Sequence, residues 1–144
     1  MSHGQHRIVI TGVGAVTNLG PDAPSTWAAM REGRSGISAI DGEEFARWHD
    51  KWEVRIGGQV RGFDPTKIMD FREARRLDRF AQLAMAAAHE AVTTSGVDFQ
   101  KLDRDRCGVV IGSGIGGIRT IEEGEMILLE KGPQRVGPFT VPRL

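Results

Sequence analysis

The sequence predicts an α/β fold, because segments typical of buried strands alternate with segments typical of amphipathic helices. Two runs of consecutive β-branched residues, at 8–10 and 109–111, have the composition of buried strands. Between them, apolar residues recur every three or four positions over 77–92, which is the period of an α-helix. The chain of 144 residues is long enough for one domain with a core.

Composition excludes several classes of protein. Nineteen Lys and Arg balance 19 Asp and Glu, and the pI is about 6.9, so no overall charge attracts nucleic acid or an anionic membrane. The one cysteine cannot build a disulfide framework, which favours a reducing compartment. The apolar run at 8–10 is too short for a signal peptide or a membrane span. We therefore expect a cytoplasmic protein.

The first elements are a strand and a short helix. The strand covers 7–11 and ends at the glycines of 12–14, which tolerate tight turns. Ser25 is the expected N-cap of the helix, and Gly33 is expected to close it.

The middle of the chain is less regular until the long helix. Residues 41–53 lack a clean period, so we expect a loop or a short irregular helix there. Apolar and polar residues alternate over 53–60, which is typical of an edge strand. The long helix stops at Ser95 and Gly96. Its many alanines leave a thin apolar face that another element can approach closely.

A second strand, a glycine-rich loop and a second long helix complete the pattern. The strand covers 107–111, the loop 112–117, and the acidic amphipathic helix about 118–131. Gly132 and Pro133 are expected to end that helix.

The glycine loop matches the dinucleotide-binding pattern G-x-G-x-x-G through Gly112, Gly114 and Gly117. That fingerprint also needs an acidic residue at the end of a second strand, whereas Glu130 falls within the predicted helix. Nucleotide binding therefore stays an alternative, and glycines that let a strand turn closely into a helix are the favoured interpretation.

Several motifs together resemble the β-ketoacyl-[acyl-carrier-protein] synthases, especially the synthase II type. They occur in the family's order and approximate spacing across almost the whole chain. The motifs are Arg-Ile-Val-Ile-Thr-Gly-Val-Gly at 7–14, Ser-Thr-Trp at 25–27, Ser-Gly-Ile at 35–37, the 112–117 loop, and Gly-Pro-Phe-Thr-Val-Pro at 137–142. The chain corresponds to about the first third of such an enzyme.

The resemblance implies a thiolase-like αβαβα sandwich, of which 1–144 would form most of the N-terminal half as an incomplete ketosynthase domain. The family works as homodimers on substrates carried by the phosphopantetheine of acyl carrier protein, with no further cofactor. Its reaction condenses an acyl thioester with malonyl carrier and releases carbon dioxide, as in fatty acid biosynthesis. The family's catalytic Cys, two His and Lys follow the motif that ends at Pro142. No catalytic residue is therefore assigned here, and the isolated chain is expected to be inactive.

Cys107 is not expected to replace that nucleophile. It opens the second predicted strand, where we expect a small buried side chain. The four histidines show no pair at metal-ligand spacing and are expected to be structural or solvated, so no metal site is predicted. They are His3, His6, His49 and His89.

Two sets of site residues follow from the resemblance. Gly112, Gly114 and Ile115 match a loop that reaches across the dimer interface to the end of the acyl pocket. There an apolar side chain limits the acyl length, although Ile115 could equally be packed beneath the dimer. Phe139 and Thr140 match a pair near that pocket that is often two aromatics, so Thr140 departs from the family pattern.

The second set is basic and matches the carrier-docking residues of the family. Arg72, Arg75, Arg76 and Arg79 recur every three or four positions and would share one face if a helix began near 71. Cations at a helix N-terminus oppose the macrodipole, which suggests a role other than helix stability. In the family, the positions of Arg72, Arg75 and Arg76, with a basic residue at Arg135, receive the acidic carrier. The alternative is a solvated face neutralised by Asp70, Glu73 and Asp78.

A different class remains open beside the condensing enzyme. Chain-length factors share the fold but lack the catalytic Cys, and they act by pairing with an active ketosynthase subunit. Residues 1–144 would look alike in the two classes.

Overall fold

The computed structural model describes residues 7–46 and 49–143. Two short strands, β1 (Ser38–Ala39) and β2 (Ile56–Gly57), pair antiparallel with Ser38 opposite Gly57. The α-helices of the described residues are α1 (Ala23–Arg31), α2 (Glu43–Ala46), α3 (Phe71–Ala74), α4 (Arg79–Ser95), α5 (Ile118–Lys131) and α6 (Thr140–Arg143). Their 3-10 turns are His49–Lys51, Pro65–Lys67, Arg104–Arg106 and Pro133–Arg135.

The two expected core strands are not formed, which corrects the predictions at 7–11 and 107–111. Neither segment pairs with another within the described ranges, and the exposed fraction reaches 92% at Ile8 and 99% at Val110. A strand exists only through hydrogen bonds to a neighbour. The described chain is therefore mostly helical with little sheet, and the α/β class appears only in part.

Helix α1 begins earlier than predicted. Its N-cap is Asp22, whose carboxylate accepts a hydrogen bond of 2.7 Å from the Ser25 amide, so the expectation that Ser25 caps the helix is wrong. Asp22 has the extended backbone of an N-cap residue, which places its carboxylate next to the free amide in the first turn of the helix. Gly33, with a φ of +67°, follows the helix end as predicted.

The structure confirms the long helix that the apolar period predicts, as α4. It ends at Ser95, and Gly96 takes the left-handed conformation with a φ of 66°. The segment at 12–14 runs directly against its alanine face. A Cβ on Gly12 would collide with the Ala91 carbonyl oxygen, and one on Gly14 with that of Ala87. The close approach predicted for the alanine face is thus made by backbone.

Of the remaining predicted elements, one is found as predicted and the others are shorter or divided. Helix α5 has its predicted bounds, and the 41–53 segment forms α2 and the first 3-10 turn. Of the expected edge strand at 53–60, only β2 is paired. Among the residues whose burial is described, three apolar residues are buried: Ala29, Met69 and Ala74. Across the described part of the chain, no helix combines the length and apolar character needed to cross a bilayer.

Candidate functional site

Helices α3 and α6 meet at a surface depression that we call the arginine cleft. Its volume is about 410 Å³. Its lining residues are Phe71, Arg72, Arg75, Arg76 and Arg143. The cleft thus combines four guanidinium groups with one aromatic ring.

The short helix α3 sets the positions of three of these arginines. The Asp70 carboxylate caps it by accepting hydrogen bonds from the amides of Arg72, at 2.7 Å, and Glu73, at 2.9 Å. The helix ends at Ala74 and the next one begins at Arg79, so the expected continuous helix from about 71 is wrong. In the turn between them, Asp78 is the N-cap residue of α4, and its carboxylate binds Thr120 of α5.

Arg79 lies apart from the cleft, which corrects the expectation of four arginines on one face. Its Nη2 donates to the Val60 carbonyl oxygen at 2.9 Å. Its guanidinium carbon lies 5.4 Å from the centre of the Phe63 ring, a cation–π distance. These contacts give Arg79 a structural role in holding the 60–63 segment against α4.

The carboxylates closest in sequence do not neutralise the cleft. Asp70 is used by the amides of α3, and Asp78 accepts hydrogen bonds from Thr120. The ion pairs found over 7–46 and 49–143 include none of the cleft arginines. Glu73 is exposed on α3 and is absent from the cleft lining. The carboxylates of the described ranges therefore form no ion pair with the cleft arginines, and the solvated face stays an alternative to a docking surface.

Arg143 joins the cleft from the far end of the chain. Its Nη2 donates to the Arg75 carbonyl oxygen at 2.8 Å, across a separation of 68 residues. Its Nε is buried without a hydrogen-bond partner. The sequence does not predict this contact, because its only local signal is a basic side chain directly after Pro142.

Arg135 is separate from this group. It lies exposed in the 3-10 turn Pro133–Arg135, which contacts α5, and it is not among the lining residues of the cleft. The structure therefore brings together three of the four predicted docking arginines and adds Arg143.

The glycine loop leads into α5 through a buried N-cap. The Ser113 hydroxyl accepts a hydrogen bond of 2.9 Å from the Gly116 amide, and Gly117 is the buried cap residue. Gly112 and Gly114 are exposed, and Ile115 is 69% exposed. Ile115 therefore faces outward from the tip of the loop.

Asp78 fastens the start of α5 to the start of α4. Its Oδ2 accepts hydrogen bonds from the Thr120 amide at 3.1 Å and the Thr120 hydroxyl at 2.5 Å. Partial burial raises the pKa of Asp78, but the hydrogen bonds from Thr120, together with the nearby amides of Arg79 and Phe80, leave the pKa below its ordinary value. The carboxylate is thus the form that this junction stabilises.

The predicted pair Phe139 and Thr140 lies at the start of α6. Phe139 is 57% exposed, while Thr140 is half-buried and donates from its hydroxyl to the Gly137 carbonyl oxygen at 2.8 Å. The Thr140 methyl group lies beside Gly124 of α5, 3.2 Å from where a Cβ would stand. The exposure of Phe139 and Ile115 means that this chain alone does not enclose an acyl pocket around them.

Cys107 is exposed, so its predicted burial is wrong. Its thiol donates to the Asp103 carbonyl oxygen at 3.4 Å, and the segment that follows it has no strand neighbour to cover it. His49 is exposed beside Asp50, and His89 is exposed on α4, while His3 and His6 lie outside the described residues. Over 7–46 and 49–143, no group of three or more His, Cys, Asp or Glu is arranged to hold a metal ion.

Comparison with known families identifies the class of protein to which the chain belongs. Residues 5–143 match the family described as "Beta-ketoacyl synthase, N-terminal domain", and the chain belongs to that family. Among curated relatives, it is 39% identical over 141 residues to 3-oxoacyl-[acyl-carrier-protein] synthase 2 of Synechocystis sp.. That match covers 96% of this chain and 32% of the relative, so the chain spans about a third of the relative's length.

Solved structures show the same partial coverage. A type II polyketide synthase complex, in which an acyl-carrier protein is bound to its ketosynthase, matches with a TM-score of 0.72 and 26% identity. The match covers 92% of this chain and 33% of that one. The ishigamide ketosynthase/chain length factor matches with a TM-score of 0.69 and 26% identity, over 94% of this chain and 33% of that one. The fold described above is therefore the N-terminal portion of a ketosynthase fold.

Proposed function

We propose that this chain supplies the N-terminal part of a 3-oxoacyl-[acyl-carrier-protein] synthase of fatty acid biosynthesis. The observation that carries the proposal is the family match over 5–143, together with 39% identity to a synthase 2 along 96% of the chain. The working enzyme would be a cytoplasmic homodimer, in which this part is completed by the remainder of a thiolase-like αβαβα sandwich.

In the proposed reaction, an enzyme thiolate takes the acyl group from the carrier thioester and releases the carrier thiol. Malonyl carrier then loses carbon dioxide, and the resulting carbanion attacks the acyl-enzyme and expels the thiolate. The nucleophile and the groups that stabilise developing negative charge are assigned to residues outside 1–144. The chain itself contributes recognition and shape rather than bond-making groups.

Recognition is assigned to Arg72, Arg75 and Arg76, with Arg135 as an outlying contact. Guanidinium groups bind carboxylates and phosphates through paired N–H donors, and an acidic carrier with a phosphopantetheine arm offers both. Among the described residues no carboxylate lines the cleft, which supports this role because the positive charge stays available to a partner.

The residues that line the end of the acyl pocket are proposed to be Gly112, Gly114, Ile115, Phe139 and Thr140. The exposure of Ile115 and Phe139 supports a role at a surface completed by another part of the enzyme or by a second subunit. An apolar side chain there would limit acyl length by its volume. Thr140 leaves more space than an aromatic residue would.

The test is a condensation assay on the native polypeptide purified from its source. It is given acyl carrier and malonyl carrier, and the products are followed by mass spectrometry. The proposal expects a 3-oxoacyl carrier two carbons longer, together with carbon dioxide. Substitution of Arg72 and Arg76 by Gln should raise the carrier KM, and Arg31→Gln, at an exposed arginine that ends α1, is the matched control. Absence of condensation and of carrier binding would contradict the proposal.

A non-catalytic partner subunit, like a chain-length factor, is the second candidate. The structural match to a ketosynthase/chain length factor assembly favours keeping it. It predicts that the native polypeptide is inactive alone and purifies in a stable complex with a separate ketosynthase. The condensation assay therefore separates the two candidates.

A further inference from the structure

The stability of α6 does not explain why an arginine occupies position 143 in the arginine cleft. Helix α6 is a single turn of four residues, and its Arg143 Nε is buried with no hydrogen-bond partner. An unpaired buried N–H costs free energy, so an uncharged side chain would serve the packing of α6 better. The guanidinium is nevertheless held in place by the bond from its Nη2 to the Arg75 carbonyl oxygen.

The cleft therefore collects like charges from two distant parts of the chain. Arg72, Arg75 and Arg76 come from α3 and the turn after it, and Arg143 comes from α6. Like charges in one cleft repel one another, and the described residues supply no carboxylate to the lining. Such an arrangement becomes favourable when an anionic surface binds.

Phe71 indicates which kind of anionic surface fits. Its ring is 63% exposed within the cleft, and the Arg75 guanidinium carbon lies 5.6 Å from the ring centre. A single phosphate group would use the cations but not the ring. A protein surface that offers carboxylates beside apolar side chains uses both, and aromatic residues and Arg are enriched in protein interfaces.

We propose that Arg143 is a fourth contact residue for an acidic protein partner in the arginine cleft. This inference rests on the proposed function, because it takes the acyl carrier protein as that partner and its carboxylates as the groups recognised. Arg143 acts in two ways: it adds a cation to the cleft, and it holds the backbone at Arg75.

The experiment measures the Kd of the native polypeptide, expressed in full, for the apo form of the carrier, which lacks phosphopantetheine. Arg143→Gln should weaken binding by about fivefold, the upper range for one exposed ion pair. Arg143→Lys keeps the charge but loses the planar fork, and it should recover part of that loss. Arg31→Gln removes one exposed cation elsewhere and should leave the Kd unchanged. Melting temperatures of all variants report whether the fold is retained.

Two results would overturn the inference. One is equal affinity of Arg143→Gln and Arg31→Gln for the apo carrier. The other is a loss confined to the holo carrier or to free phosphopantetheine, which would make the ligand a phosphate. If the unsubstituted protein binds neither carrier form, the proposed function fails, and that outcome is distinct from a failure at Arg143 alone.

Discussion

At the scale of single residues, Asp78 shows how one carboxylate joins two helices. Asp78 is the N-cap residue of α4 by position, and its carboxylate accepts both donors of Thr120 in the first turn of α5. The same side chain lies against Gly117, where a Cβ would come within 2.9 Å of the Asp78 Oδ2. The glycine at the end of the loop therefore lets the helix start approach the carboxylate closely.

Removing this carboxylate should loosen the junction between α4 and α5. In Asp78→Ala, we expect the Thr120 amide to exchange its hydrogen about tenfold faster, because loss of a charge-assisted hydrogen bond costs about 1.5 kcal/mol. Hydrogen exchange of the native polypeptide measures this directly. Asp105→Ala removes an exposed carboxylate from a 3-10 turn and is the control.

The same junction should depend on pH. The pKa of Asp78 is lower in the folded chain than its ordinary value of 3.8. The stability that the Asp78 carboxylate adds to the junction is therefore fully present above pH 3.8. It is lost as pH falls through the lower folded pKa, where the carboxylate takes up a proton. The difference in Thr120 amide exchange between Asp78→Ala and Asp105→Ala should therefore shrink below pH 3.8. A difference that stays constant with pH would contradict this role of Asp78.

At the scale of elements, α4 organises the N-terminal half of the described chain. The 12–14 segment lies against its alanine face, and the Glu90 carboxylate accepts hydrogen bonds from the amides of Ala15, at 2.8 Å, and Ala23, at 2.9 Å. Glu90 thereby fastens both the segment after 12–14 and the first turn of α1 to α4. The apolar period predicts the helix, but it does not predict these hydrogen bonds to Glu90.

The close packing of 12–14 on α4 gives a sharp mutational test. Gly14→Ala places a methyl group against the Ala87 carbonyl oxygen, and we expect the native polypeptide to lose about 1–3 kcal/mol of stability through overpacking. Gly137→Ala is the matched control, since a Cβ there makes an ordinary contact of 3.9 Å with the Thr140 hydroxyl. Equal melting temperatures of the two variants would contradict the packing described.

Sequence predicted the elements whose signals are local and missed those that depend on distant partners. Both long helices follow from their apolar periods and terminal glycines. The break between α3 and α4 was missed, because nothing local showed that Asp78 is used by Thr120, 42 residues further along the chain. Arg143 was missed for the same reason, since its contact with Arg75 spans 68 residues.

At the scale of the whole molecule, the exposed apolar segments are the main feature. Residues 8–10 and 109–111 have the composition of core strands, yet they lie open to solvent, and the buried core is small. A strand needs a paired neighbour, and the described residues supply none for these segments. These surfaces fit a chain whose sheet is completed by the other two-thirds of its relatives' length.

The proposal that this chain forms one part of a larger condensing enzyme is best tested by the intact mass of the native polypeptide. The tryptic peptide Cys107–Arg119, which contains the glycine loop, identifies the polypeptide in its source cells. We expect a species about three times heavier than the 15.8 kDa of these residues, as the 32% coverage of the Synechocystis relative implies. A native polypeptide of 15.8 kDa would contradict the proposal that this chain is part of a larger enzyme.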